Sequence, residues 1–142
     1  MKLQSTTFLN NTLIPDRCAF GIKDEENHMA LGSNKNPQLS WSEIPKNTLS
    51  LVLLCIDTDV PSSLDDFNKE GRTISKDLAR VNFVHGVMVD IKPMNDSIEE
   101  GECSDGITPG GKQNPSGPEG SRQGINDYTQ FMSGDPEMEG NY

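Results

Sequence analysis

The stretch Leu49–Pro61, LSLVLLCIDTDVP, decides the fold, because it is the longest dense apolar run in the chain. A short run that is apolar on both faces is typical of a central strand covered on both sides, and a helix of that length is the competing interpretation. Thr48 and Pro61 bracket the run and favour the strand. Period-two alternation carries one face of this strand on to Asp57 and Asp59. We therefore expect these two carboxylates at the rim of the core.

A second strand is predicted over Val81–Ile91, VNFVHGVMVDI, in which His85 interrupts an otherwise apolar row. Two adjacent long strands would pair, and their ends could bring His85 near Asp57 and Asp59. A carboxylate beside an imidazole favours the protonated ring, which binds anions such as phosphate. The competing interpretation is structural, since a histidine on an apolar face is more often a core residue and an Asp near a proline more often caps a turn.

The segments around these two strands also appear extended. Lys2–Leu9 alternates weakly and predicts an edge strand, and Gln38–Trp41 predicts a short strand. A turn at residues 45–47 would join that strand to the Leu49 strand in a hairpin. Trp41 is expected in the core, with a ligand platform as the alternative, and Cys55 is expected to be a small core residue.

The last third of the chain is poor in apolar residues. Residues 103–124 form a Gly- and Pro-rich stretch without periodicity, so we predict a loop there within a single domain spanning residues 1–142. Ile125, Tyr128, Phe131 and Met132 have helical spacing, which favours a short amphipathic helix that docks on the rest of the domain.

The charge of the chain excludes some classes of partner. The 142 residues carry a formal net charge of −10 and no basic cluster, which argues against nucleic acid as the main partner and allows peripheral contact with a membrane at most. Three widely spaced cysteines form neither a disulfide framework nor a zinc pattern. Since the first residues lack a signal-peptide core, we expect a cytoplasmic protein.

Other chemistries fit the sequence less well, and we expect no cofactor and no metal. Residues 106–112, GITPGGK, match the spacing of a phosphate loop, but Gln113 stands where a Ser or Thr should bind magnesium. The acidic residues near the Leu49 strand lack the glycine and glutamate of a calcium-binding loop. No serine or cysteine lies in a nucleophile elbow, although a hydrolase stays open as a third hypothesis.

Several separated motifs resemble the phosphatidylethanolamine-binding, or Raf-kinase-inhibitor, family. Residues 34–45, NKNPQLSWSEIP, look like its N-x-S-P-x-L-x-W-x-x-x-P stretch; residues 57–61, DTDVP, its D-P-D-x-P motif; and residues 84–91, VHGVMVDI, its H-W-x-V-x-x-I strand. Residues 104–112 and 121–128 resemble the bacterial branch. The motifs occur in the family's order from about Phe8 to Tyr142.

The resemblance implies a mostly β fold, with a central antiparallel sheet packed against a smaller sheet and few short helices. It implies a pocket at the sheet ends for small anionic or phosphorylated ligands, with Asp57, Asp59, Pro61 and His85 at the family's ligand-binding positions. It implies binding without catalysis. The alternative is an interaction module that inhibits a kinase or protease and keeps a vestigial pocket. Bacterial members often look dimeric, so a homodimer is also expected.

Departures from the family pattern bear on the strength of binding. Thr58 replaces the usual proline, and Gly86 replaces the aromatic residue that follows the histidine, which removes a packing group beside the pocket. The sequence printed here stops before the family's G-x-P-P segment and its His-x-Tyr strand. We expect a pocket with one wall that binds weakly, and unpaired strand edges that favour association.

Overall fold

A computed structural model describes residues 1–67, 69–108 and 112–131. Strands dominate these residues, and every pair of neighbouring strands is antiparallel. The prediction of a mostly β fold built on antiparallel sheets is confirmed. In chain order the elements are β1 (Lys2–Gln4), a 3-10 turn (Asp16–Cys18), β2 (Gly21–Asp24), β3 (His28–Leu31), β4 (Leu39–Ser42), β5 (Leu51–Pro61), β6 (Arg80–Ile91), β7 (Ser97–Ile98), β8 (Arg122–Gln123) and α1 (Tyr128–Phe131).

The two strands predicted from the apolar runs form the centre of the longest sheet. β5 and β6 pair along their whole length, with Leu51 opposite Ile91 at one end and Pro61 opposite Arg80 at the other. The strand β8 adds to the far side of β6, which gives the order β5-β6-β8. Three shifts of register interrupt the β5–β6 pair, and each marks a β-bulge or irregularity. A regular alternation of side chains therefore does not run through this pair.

The strand predicted around Trp41 is present as β4, but the hairpin that was expected to join it to the Leu49 strand is wrong. β4 lies between β1 and β7 in a separate three-stranded sheet, with Leu3 opposite Trp41 and Leu39 opposite Ile98. The 12-residue β6 offers β5 a far longer partner than the four-residue β4 does. The edge-strand prediction for Lys2–Leu9 is confirmed for the three residues of β1.

The core joins the two three-stranded sheets. Trp41 lies in this core, as predicted, and its indole Nε1 donates a hydrogen bond of 2.6 Å to the carbonyl oxygen of Asn95. This bond satisfies the polar atom of a buried ring, as burial requires. The buried apolar residues are Trp41, Met88, Ile91, Ile98 and Cys103, and the half-buried ones packed on them are Leu39, Ile44, Leu51 and Leu53.

Two predictions about β5 are wrong. Val52, Leu54 and Ile56 are 56%, 54% and 42% exposed, so one face of the strand has no cover from the described part of the chain. Cys55 is exposed rather than a core residue. The physical reason is that the core packs only on the face that carries Leu51 and Leu53, and no other element in the described part of the chain covers the opposite face.

The start of the predicted loop at residues 103–124 is held by Asn36. The Asn36 Oδ1 atom accepts hydrogen bonds from the backbone N–H groups of Cys103 (2.7 Å) and Ser104 (2.9 Å), and its Nδ2 atom donates to the carbonyl of Glu99 (2.8 Å). These bonds satisfy backbone groups that no strand ladder reaches. The loop is thus tied to the segment that precedes β4.

Further along, the short strand β8 lies inside the segment that the sequence predicts to be loop. The helix predicted around Ile125 begins later, at Tyr128, and Ile125 is exposed ahead of it. Residues 109–111 of the possible phosphate loop, and Met132 of the predicted helix, lie outside the described residues. That residues 1–142 form a single domain stays a prediction. Within the described residues no helix has the length and apolarity needed to cross a membrane.

Candidate functional site

His85 lies at a β-bulge. Cys55 stands opposite Gly86 and Ile56 stands opposite Val84, so two successive residues of β5 face three successive residues of β6. His85 is the extra residue and has no partner on β5. A bulge bends its strand and changes the direction of the inserted side chain. The His85 ring nevertheless packs on that of Phe83, two residues earlier, as the alternation in the sequence predicts.

The His85 ring belongs to an aromatic cluster, which we define as Phe20, Phe83, His85 and Tyr128. The centroid of the His85 ring lies 5.1 Å from that of Phe83 and 5.3 Å from that of Tyr128. Tyr128 also meets Phe83 edge-on at 4.9 Å and Phe20 at 5.2 Å. Such tilted and edge-to-face pairs are favourable ring geometries. All four residues are half-buried, so the cluster is a surface wall rather than a closed core.

Asp57 faces the same cluster. It stands directly opposite Phe83 in the β5–β6 pair, and directly opposite side chains share a face of the sheet. Burial raises the pKa of the Tyr128 phenol, and the nearby Asp57 carboxylate and Cys55 thiol raise it further. Neighbouring atoms partly desolvate the Cys55 thiol, although the residue as a whole is exposed, and this raises its pKa, with Asp57 as the second cause. The structure thus brings Asp57 and His85 together around the Tyr128 ring.

Asp59 and Pro61 lie apart from this cluster, towards the end of β5. The Asp57 Oδ1 atom accepts the backbone N–H of Asp59 at 2.8 Å, which closes a tight turn at an irregular step of the strand pair. The Asp59 side chain is 85% exposed, and its Oδ1 atom lies 3.5 Å from the Nε atom of Arg80. Pro61 stands opposite Arg80 at the last pair of the ladder. These two residues therefore lie at the rim, beside a cation.

Sequence reasoning did not identify four residues that build this site: Phe20, Tyr128, Asn126 and Asp127. Tyr128 is predicted only as part of a docking helix. A signal for Asn126 and Asp127 is present in the sequence, because Asn-Asp favours turns and side chain–backbone hydrogen bonds. What the sequence could not show is that this dipeptide lies along the edge of β6.

Two shallow grooves, of about 310 and 210 Å³, lie elsewhere on the surface. The larger is lined by Trp41 and by polar residues in and beside β1, β4 and β7, and the smaller by the segment that follows β5. Neither is lined by Asp57 or His85. Among the described residues, no group of three His, Cys, Asp or Glu side chains is arranged to hold a metal ion. The Nζ atom of Lys112, from the possible phosphate loop, donates to the carbonyl of Cys103 at 3.2 Å.

The arrangement around His85 suits reversible binding of a small polar group. None of the hydrogen bonds found within the described residues ends on a ring nitrogen of His85, whereas its backbone carbonyl accepts a bond from Asn126. A half-buried imidazole can donate to an anion, and a neighbouring carboxylate can accept from a hydroxyl or an ammonium group. The surrounding rings reduce access of water to the imidazole and so strengthen its interaction with an anion, whereas Asp57 is exposed.

The comparisons with known proteins point to one family. The family model described as phosphatidylethanolamine-binding protein matches residues 4–140. The matched range includes all four predicted site residues, Asp57, Asp59, Pro61 and His85, and the aromatic cluster. No curated protein matches the sequence.

Proposed function

The chain belongs to the phosphatidylethanolamine-binding protein family, and on that premise we propose that it binds a small anionic or phosphorylated ligand beside His85 and Asp57 without catalysing a reaction. The observation that supports this most is the position of His85 on a bulge and within the aromatic cluster, whose Phe83 stands opposite Asp57. The ligand class is that of a phospholipid headgroup. The assignment to the bacterial branch stays a prediction.

The chemistry of the site favours a ligand that carries both an anion and a hydrogen-bond donor. A protonated His85 ring would pair with a phosphate oxygen. Asp57 would repel a bare phosphate but would accept a hydrogen bond from an ammonium or hydroxyl group on the same molecule. Phosphoethanolamine carries an ammonium group beside its phosphate, whereas inorganic phosphate has no cationic group to offset the repulsion from Asp57. Asp59 and Pro61 would shape the rim through which the ligand enters.

The first test follows the ring signals of the two histidines by NMR while phosphate or phosphoethanolamine is added. His28 is an internal control, because it is exposed at the start of β3, in a different sheet. A saturable shift of the His85 signals with fixed His28 signals supports the pocket, and phosphoethanolamine should saturate at a lower concentration than phosphate. A flat titration of folded protein for both ligands would overturn the proposal.

The second candidate function is an interaction module that inhibits a kinase or protease and retains a vestigial pocket. The observation that favours it is the exposed apolar row on β5, formed by Val52, Leu54 and Ile56. Exposed apolar patches on a folded protein commonly mark binding surfaces. In this case Leu54→Lys should abolish inhibition of a purified kinase or protease, and His85→Ala should leave it unchanged. Loss of inhibition in His85→Ala alone would favour the ligand pocket instead.

A further inference from the structure

A neighbouring segment forms hydrogen bonds with the backbone of β6 around the bulge at His85. Residues 124–128 follow β8 and continue along the edge of β6 that faces away from β5. The backbone N–H of Gly124 donates to the carbonyl of Val87 at 2.9 Å, and that of Asp127 donates to the carbonyl of Val84 at 2.9 Å. The segment therefore spans the bulge from one side to the other.

Asn126 and Asp127 bind the two backbone residues that define the bulge. The Asp127 Oδ2 atom accepts the backbone N–H of Val84 at 2.7 Å, and the Asn126 Nδ2 atom donates to the carbonyl of His85 at 3.2 Å. A bond from an amide to a carboxylate is charge-assisted, so it is stronger than an ordinary ladder bond. With the Asp127 N–H on the Val84 carbonyl, both polar backbone groups of Val84 are fixed by one residue.

The same dipeptide also places the ring that covers His85. The Asn126 Oδ1 atom accepts the backbone N–H of Tyr128 at 3.1 Å, at the start of α1. Tyr128 then packs on the His85 ring at 5.3 Å. Asn126 thus contacts the backbone of His85 with one side-chain atom and the backbone of Tyr128 with the other. A change at this residue should alter the direction of the imidazole and the position of its aromatic wall together.

We propose that Asn126 and Asp127 are positioning residues for His85, which hold the bulge so that the imidazole faces Asp57 and Tyr128. The proposal concerns the free protein, and it rests on the proposed function only for its effect on ligand binding. Asp127→Ala removes the acceptor for the Val84 amide, whereas Asp127→Asn keeps a side-chain oxygen there. Asp105→Ala is a control that removes one carboxylate from an exposed ion pair with Lys35, remote from β6.

The experiment records histidine ring spectra of these variants and then titrates each with phosphoethanolamine. Asp127→Ala should displace the His85 signals, leave those of His28 in place, and weaken binding about tenfold or more, as loss of a hydrogen bond to a charged group does. Asp127→Asn should restore most of the parent's His85 signal positions and most of its affinity for phosphoethanolamine. Asp105→Ala should match the parent protein in both measurements. Unmoved His85 signals in folded Asp127→Ala would overturn the proposal.

If Asp127→Ala does not fold, Asn126→Ala tests the proposal instead. This substitution removes the contacts to His85 and Tyr128 and leaves the Val84 bonds in place. Displaced His85 signals in that variant support the proposal, and unmoved signals contradict it. Failure of the two proposals can be told apart. A parent protein that binds no phosphoethanolamine refutes the proposed function, while the ring spectra still report whether the bulge is held.

Discussion

The two halves of β6 differ in what covers them. The half that ends the strand, from Met88 to Ile91, packs into the buried core against Trp41 and Ile98. The half before it, from Phe83 to Gly86, is only half-buried and meets rings. The strand β6 therefore contributes apolar side chains to the core near its end and carries the His85 imidazole in its earlier half.

Both halves contain an irregular step, and the two are held differently. Near Asp90, whose φ is +59°, the step is accompanied by an exposed ion pair in which Arg122 Nε donates to the Asp90 carboxylate at 2.8 Å. The ladder with β8 also pairs the backbone there, with Met88 opposite Gln123 and Val89 opposite Arg122. At His85 side chains do this instead, since the Asp127 carboxylate and the Asn126 amide bind the backbone of Val84 and His85. The step near Asp90 is therefore held by a strand, whereas the step at His85 depends on two side chains that single substitutions can remove.

The largest difference in stability is expected between substitutions that remove apolar volume at the two ends of β6. Ile91 is 1% exposed, so Ile91→Ala should lower the free energy of unfolding by about 2–5 kcal/mol through lost burial and a cavity. Val81 is 46% exposed on the same strand, and Val81→Ala should cost roughly 0.5 kcal/mol or less. Urea unfolding followed by circular dichroism measures both. Equal losses would mean that the two ends of β6 contribute alike.

A matched pair of glycine substitutions tests how closely the backbone near the site is packed. A Cβ atom on Gly124 would lie 2.7 Å from Cγ1 of Val87, so Gly124→Ala should destabilise by roughly 1–3 kcal/mol as it forces the segment away from β6. A Cβ atom on Gly86 would meet only the Cβ atom of Cys55, at an ordinary 3.8 Å. Gly86→Ala should therefore stabilise the fold by about 0.4–1 kcal/mol, because it restricts the unfolded chain.

Thermal and urea unfolding of the two variants gives the sign of each effect. Opposite signs support a close contact between residues 124–128 and β6 together with open space beside Gly86. That space lies where the family pattern has an aromatic residue. A stabilised Gly124→Ala would show that the segment does not press on β6 as the structure has it.

The smallest expected effect concerns the phenol of Tyr128 in alkaline solution. Its pKa is raised in the folded protein, chiefly by burial, so the unfolded chain gives up this proton at lower pH than the folded chain does. The contribution to stability is complete below the ordinary tyrosine pKa of about 10 and is lost as pH rises through the higher folded value. Between pH 9 and 11, Tyr128→Phe should lose less stability than the parent protein.

Stability measured across that range tests the prediction, and Tyr142→Phe is a control that removes another phenol. The thiols of Cys55 and Cys103 also have raised pKa values through burial, but both variants retain them. Their contribution therefore cancels in the difference. Parallel curves for the parent protein and Tyr128→Phe would contradict the position of the phenol beside Asp57.

The sequence predicts the strands well where apolar residues are dense. Apolar density gave β5 and β6 nearly to their ends, and Trp41 lies in the core as its size and apolarity suggest. The prediction fails for Cys55 and for the hairpin between Trp41 and Leu49. Apolar density cannot tell a central strand from an edge strand with an uncovered face, because that depends on which strands pair at long range.

The site was predictable only in part. The resemblance placed Asp57 and His85 at one pocket, and the structure brings both to the Tyr128 ring. Alternation predicts that His85 lies beside Phe83, and the two rings do pack together, but the bulge that shifts the register with β5 leaves no trace in the hydrophobic pattern. For the same reason the sequence did not show that Asn126 and Asp127 lie along β6, since a side chain–backbone contact over 40 residues has no periodic signature.

The bonds made by Asn36 have a consequence for the order of folding. Its contacts with Cys103 and Ser104 span 67 and 68 residues, and its contact with Glu99 spans 63. Contacts so distant along the chain form only after a large loss of chain entropy, and proteins rich in them fold slowly. The local hairpin of β2 and β3 does not wait for them. Cys103 lies in the core beside Trp41 and Ile98, so until Asn36 has closed its loop these apolar side chains stay open to other unfolded molecules, and the speed of this one step sets how long the protein is at risk of aggregating through them.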